Sequence, residues 1–317
     1  MKSVFKILFL ILTAIVLIVI VVFGYRDIPL ESLKMKYGKA PSSFISIDGI
    51  NVHYRDEGIS MDSIPLVLIH GTGSSLHTFE GWTNQLKKTR RVIRMDLPAY
   101  GLTGPFKDRN YTMDSYVEFI HKFLNAKSIH KCILGGNSLG GGIAWRYTAR
   151  FPNKVSKLIL IDASGYAIKA QSTPIAFQLA KIPVIKNLFT YITPKFIARK
   201  SVENVYADIT KVNDTLVERY FELALRAGNR QAFIDRLSVE NDINGSEKIK
   251  SITQNTLILW GEKDKLIPTE VALKFHKDLP NNTLVILNGL GHVPMEENPD
   301  KSLVPVLEFL RDTNTLD

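Results

Sequence analysis

Cysteine is almost absent from this chain: Cys132 is the only one in 317 residues, so no disulfide can form within it. Redox chemistry therefore says nothing about compartment. The lone thiol sits in the apolar run Lys131-Cys132-Ile133-Leu134, where a cysteine packs as an inert side chain. Acidic residues are also in short supply, 31 against 40 basic ones, for a formal net charge of +9. The excess is not gathered into a basic stripe interleaved with aromatics, which argues against nucleic acid as a partner. Lysines scattered over loops and helix faces describe a solvated surface, one that tolerates anionic lipid nearby.

Polar residues are missing from one stretch. From Ile7 to Phe23 every position but Thr13 is apolar, with Lys2 and Lys6 before it. At about 1.5 Å per residue the run covers roughly 26 Å as a helix, near the roughly 30 Å of a bilayer core. A single-pass membrane anchor over residues 1–26 is the expectation. A cleaved signal sequence is the rival, although the run is longer than the usual apolar region and no A-x-A site follows it. Lys2 and Lys6 favour a cytoplasmic N-terminus and an extracytoplasmic (periplasmic) catalytic domain; Arg26, Lys34, Lys36 and Lys39 pull the other way.

The rest is long enough for one α/β domain carrying an insertion. Short apolar, β-branched runs predict strands over 44–47, 51–55, 65–70, 91–96, 131–135, 157–162, 256–260 and 283–287. Asp48-Gly49 joins the first two as a tight antiparallel hairpin. Later strands are separated by segments of helical period at 113–125, 139–151, 269–278 and 301–311, so the sheet should be mostly parallel with helices on both faces. The strand rhythm stops between Ser164 and about Ile252, in a stretch broken by Pro174, Pro183 and Pro194. This predicts a helical cap over 164–252, dividing a core of 40–163 from one of 253–317 and lying over the sheet edge where open α/β sheets place ligands.

Chemistry concentrates at predicted strand ends. Gly136-Asn137-Ser138-Leu139-Gly140 places a serine between glycines, directly after a strand and before a helix. That pattern suits a nucleophile elbow, with the Leu139 amide facing developing negative charge. His70-Gly71-Thr72-Gly73 follows the third strand, and its Thr72 amide is the natural second oxyanion donor. His70 itself is better suited to orienting that loop than to catalysis. His292, in Gly289-Leu290-Gly291-His292, is the expected base. Asp264 and Asp162 both compete for the acid; the order Ser138, Asp264, His292 favours Asp264.

These four motifs, in this order, resemble the α/β-hydrolase superfamily over about residues 44–313. The segments 95–105 and 73–82 are similar to those of bacterial lipases and carboxylesterases, membrane-anchored ones included, with Ala99 standing where most such relatives carry glycine. The resemblance implies a serine esterase or lipase acting on hydrophobic carboxylic esters or monoacylglycerol-like lipids, with no cofactor and no metal. The elbow also resembles that of carbon–carbon bond hydrolases of ring-fission products, which often carry asparagine before the nucleophile. The chain lacks their Ser-Gly-Pro-Gly continuation after His-Gly and their tryptophan after the histidine. A non-catalytic binding module on the same fold would need none of these groups.

Overall fold

The computed structural model describes residues 2–167, 169–239 and 245–311. Eight strands form one sheet: β1 (Ser42–Ile47), β2 (Ile50–Glu57), β3 (Leu66–Ile69), β4 (Val92–Met95), β5 (Cys132–Asn137), β6 (Val155–Ile161), β7 (Asn255–Gly261) and β8 (Asn282–Leu287). Their spatial order is β1-β2-β4-β3-β5-β6-β7-β8. β1 and β2 pair antiparallel, as do β2 and β4; every later pairing is parallel. The hairpin turns on Asp48 and Gly49, both at positive φ (50° and 73°), the two-residue geometry that follows the twist of the strands.

Why the sheet is covered on both faces can be read from its alternation. Val67 and Ile69 of β3, Leu158 and Leu160 of β6, and Ile258 and Trp260 of β7 enter one core. Leu66 and Leu68, Ile159 and Ile161, and Leu257 and Leu259, each one residue out of phase, enter the other. Crossover helices close both sides. The first core receives residues of α4 (Met113–Ala126) and α5 (Leu139–Arg150), with α11 (Thr269–Asp278); the second receives α3 (Glu80–Leu86) and α13 (Pro299–Arg311). The thiol of Cys132 is fully buried in β5, and burial pushes it up to about 12, too protonated to react.

Among the described residues between β6 and β7 lie five α-helices: α6 (Ile175–Leu179), α7 (Pro183–Phe189), α8 (Lys195–Val205), α9 (Asp214–Ala224) and α10 (Asn229–Ser238). The side chains of Val184 and Phe189, part of the apolar sequence expected here, lie outside the described residues. Two helices precede the sheet, α1 (Lys2–Phe23) and α2 (Leu30–Tyr37), and the short α12 (Pro294–Glu297) leads into α13.

One expectation is corrected. Among the described residues no helix is long and apolar enough to cross a membrane, which overturns the single-pass anchor and the extracytoplasmic placement that rested on it. Side chains of α1 are described at positions 4–11, 13–14 and 21–23; those at 12 and 15–20 lie outside the described residues. Beyond α1, the backbone of residues 23–28 is tied to the β6–β7 insertion: Thr193 N donates to Phe23 O (3.2 Å) and Ile28 N to Leu225 O (2.8 Å).

Candidate active site

Ser138 stands between β5 and α5 with φ 54° and ψ −115°, a strained conformation for a residue with a side chain. The flanking glycines make the turn possible by contact distance. A Cβ on Gly136 would lie 2.3 Å from the carbonyl of Gly140, and one on Gly140 only 2.1 Å from Ile69 O. The elbow is held by backbone bonds: Ser138 N donates to Ile161 O of β6 (3.0 Å), and Ser164 N, just beyond β6, and Gly142 N, within α5, donate to Ser138 O (3.0 Å each). Leu139 is the first residue of α5, where amides have no intrahelical acceptor.

The His-Gly-Thr-Gly turn packs directly on this elbow. A Cβ on Gly71 would come within 2.9 Å of Asn137 Oδ1 and 3.1 Å of Ser138 Cβ, so only glycine lets the Thr72 backbone approach the serine so closely. His70 orients the turn. Its Nδ1–H donates to Gly71 O (2.8 Å), and its Nε2 accepts from Leu97 N (2.9 Å). Complete burial lowers its pKa, which keeps the ring in the neutral form these two bonds require. Behind it, the Asp96 carboxylate accepts from His53 Nδ1 (2.7 Å), Leu76 N (2.7 Å) and Leu102 N (2.8 Å), fixing the loops on either side.

His292 and Asp264 meet as the sequence order predicts. His292 Nδ1–H donates to Asp264 Oδ2 at 2.6 Å, with both side chains buried. Asp264 Oδ1 accepts from Leu266 N (2.8 Å) and Ile267 N (3.0 Å), which locks the carboxylate. Ser138 and His292 line the same cavity. Asp162 lies beside the pair: one oxygen or nitrogen from each of Asp162, Asp264 and His292 falls within 4.8 Å of the other two.

The cavity measures about 140 Å³ and is bounded by Thr72, Ser138 and His292 from the sheet side, and by Phe177, Ile197 and Phe233 from the insertion. Ala99, at φ 86°, is also on its wall, so this chain places a methyl in the left-handed region where glycine would be relaxed. Arg230 is the cationic residue on the lining, and it is already engaged. Its Nη2 donates to Asp27 Oδ1 (2.7 Å) and to Tyr25 O (2.9 Å), and its Nη1 to Thr193 Oγ1 (3.3 Å).

Three contacts here were beyond reach of motif reasoning. Asn137 Nδ2 donates to His292 O (2.9 Å) and Ile161 O (3.2 Å), joining the elbow to the histidine loop. Glu297, also buried, accepts from Gly291 N (2.8 Å), Asp208 N (2.8 Å) and Ala207 N (3.1 Å). His292 N donates to Val205 O (2.8 Å), so the histidine loop is bonded to the insertion as well as to the core. The only signal in the sequence was the proximity of Asn137 and Glu297 to motif residues.

Residues 64–299 match the family described as "alpha/beta hydrolase fold". The chain belongs to this family. Among its relatives this α/β hydrolase is 27% identical to 2-hydroxy-6-oxo-2,4-heptadienoate hydrolase of Pseudomonas putida, over 79% of this chain and 89% of that protein. It is likewise 27% identical to Lipase 1 of Psychrobacter immobilis, over 75% of this chain and 74% of that one. A solved meta-cleavage product hydrolase from Pseudomonas fluorescens IP01 superposes with a TM-score of 0.75 at 25% identity, covering 86% of this hydrolase and 98% of that chain. Ester and carbon–carbon bond hydrolases thus both stand near this α/β hydrolase.

Proposed function

We propose that this hydrolase cleaves carboxylic esters, small to medium acyl esters or monoacylglycerol-like lipids, through an acyl-enzyme on Ser138. Ser138 attacks the ester carbonyl while His292 takes its proton through Nε2; Asp264, on Nδ1, holds the ring and stabilises the imidazolium. The amides of Thr72 and Leu139 receive the oxyanion, and His292 then passes its proton to the leaving alcohol. Water activated by the same histidine releases the acid. None of these steps calls for a cofactor. The insertion over 164–252 acts as the cap that supplies the acyl-side wall.

The observation that carries this reading is the state of Arg230. A ring-fission product bears a carboxylate, and a site for it needs a cation free to pair; on this lining the guanidinium is already neutralised by Asp27. A neutral ester meets an apolar wall without that cost. The carbon–carbon bond reading keeps support from Asn137 and from the relatives just named, and would use the same three residues on a vinylogous diketone acid. Comparing kcat/KM on p-nitrophenyl esters of graded chain length and on one ring-fission product separates the two. A clear chain-length optimum, with the ring-fission product far slower, supports the ester reading; faster turnover of the ring-fission product than of every ester overturns it.

A further inference from the structure

Asp162 ends β6 in the left-handed region, φ 45°, with its side chain fully buried. Its Oδ1 accepts from Gly261 N at 2.9 Å. Its Oδ2 is buried too, and among the described residues no N–H or O–H of another group reaches it. An orphaned carboxylate oxygen in the core is costly; one oxygen of Asp162 lies within 4.8 Å of a carboxylate oxygen of Asp264, the side chain that interacts with Asp162 by charge and hydrogen bond. Two anions so close in a dry interior cannot both stay charged; one must carry a proton, and a proton between them turns two acceptors into a donor and an acceptor.

Which one holds it follows from the donors each has. Asp264 receives His292 Nδ1–H and the amides of Leu266 and Ile267. Among the described residues Asp162 receives only Gly261 N. The ionisable groups that act on Asp162 are Asp264, from the loop after β7, and Glu297, from α12, both of which add negative potential; His292, from the loop after β8, is the third neighbour. Burial first, and the charge of Asp264 second, drive the Asp162 pKa well above the usual carboxylate range.

We propose that Asp162 is a positioning residue of the catalytic triad, acting as a neutral carboxylic acid whose Oδ2–H donates to Asp264 and fixes that carboxylate against His292. It rests on the reading of Asp264 as the triad acid. The donated bond draws charge from Asp264, so its removal leaves Asp264 a stronger partner for the imidazolium. The acid limb of kcat/KM should then move to higher pH. Had Asp162 been an anion, any neutral replacement would remove negative charge near His292 and move that limb to lower pH. The two states predict opposite signs.

The test has two arms on the full chain. Infrared spectra of the wild type at neutral pH should contain the C=O stretch of a buried protonated carboxyl, and Asp162→Asn should lack it; absence of the band from the wild type overturns the proposal whatever the variants do. In pH profiles with a p-nitrophenyl ester, Asp162→Asn, which keeps a neutral donor, should hold its acid limb within about 0.3 pH unit of wild type, while Asp162→Ala moves it upward by about half a unit. A downward shift in either variant overturns the proposal. Asp264→Asn tests the underlying reading separately: if it hydrolyses like wild type, Asp264 is not the acid, whereas the infrared band is read without substrate and is independent of that result.

Discussion

Asn137 Nδ2 donates to the backbone carbonyl of His292 at 2.9 Å, so the residue before Ser138 holds the His292 loop. The same amide reaches Ile161 O on β6, which makes Asn137 the joint between two strands and the histidine loop. Replacement by alanine leaves these buried carbonyls short of a donor, at a cost of about 1–3 kcal/mol. Asn137→Ala is expected to lower kcat by at least tenfold with a smaller change in KM, because the distance between Ser138 and His292 is what the joint sets. Steady-state kinetics together with thermal unfolding check this; an unchanged kcat in a folded variant would remove the role.

Glu297 couples the insertion to the His292 loop. Its carboxylate accepts from Gly291 N on one side and from Ala207 N and Asp208 N on the other, and no neutral side chain offers two acceptor oxygens there. Glu297→Gln turns one oxygen into an NH₂ that faces amide donors. The variant is expected to lose about 2–4 kcal/mol of stability and to lose kcat as the His292 loop loosens. Denaturant unfolding and kinetics measure the two effects, and a variant as stable as wild type would contradict the clamp.

Asp27 is expected to tune selectivity without touching the chemistry. It neutralises Arg230, whose guanidinium borders the substrate cavity. Asp27→Asn frees that charge, so kcat/KM for an ester ending in a carboxylate should rise relative to a neutral ester of equal length, by about tenfold or about 1.4 kcal/mol. A ratio that does not move would show that Arg230 does not face the bound acyl group.

Stability should fall in acid. Burial holds His70 below its ordinary pKa and drives His77 down to about 3. Burial opposes ionisation of Asp96, but the His53 charge and hydrogen bond outweigh it and hold this carboxyl far below the usual range. All three lowered values act in the same direction. As pH falls below about 6.5 the unfolded chain takes up protons that the buried histidines refuse, and below about 4 it does so at Asp96 as well. Asp162, protonated in the fold and ionised in the unfolded chain, acts in the opposite direction above about pH 4, so Tm should decline below about pH 6.5, where two histidines outweigh one carboxyl, and drift downward above about pH 7 as well. His77→Gln should flatten the upper part of that decline; calorimetry across pH reads both.

How much of this was legible beforehand follows from how local each constraint is. The elbow, the Thr72 turn, Asp264 and His292 could be found because each depends on a glycine or a strand end within a few residues. All eight strands were foreseen for the same reason, their apolar runs being bounded by turn residues. The bond from Asn137 to His292 spans 155 residues, and no local pattern encodes it. Glu297 reads as a surface acid in a helix-starting Met-Glu-Glu, and its burial is decided by the arrival of residues 207–208 from the insertion. The sequence offers both Asp162 and Asp264 as the acid, with chain order favouring Asp264; the structure puts Asp264 on His292 Nδ1 and Asp162 beside the pair. The apolar run at 7–23 led to the expectation the structure overturned, since hydropathy reports composition without reporting what the chain builds.

The central claim is that an acyl group passes through Ser138. The direct measurement is mass spectrometry of protein acid-quenched during steady-state turnover of p-nitrophenyl butyrate, with peptide mapping of the wild type and of Ser138→Ala. The account predicts a butyryl adduct on the peptide containing Ser138, and its loss together with that of hydrolysis in the variant. Undiminished turnover by Ser138→Ala, or an adduct on a different residue in the wild type, would contradict it.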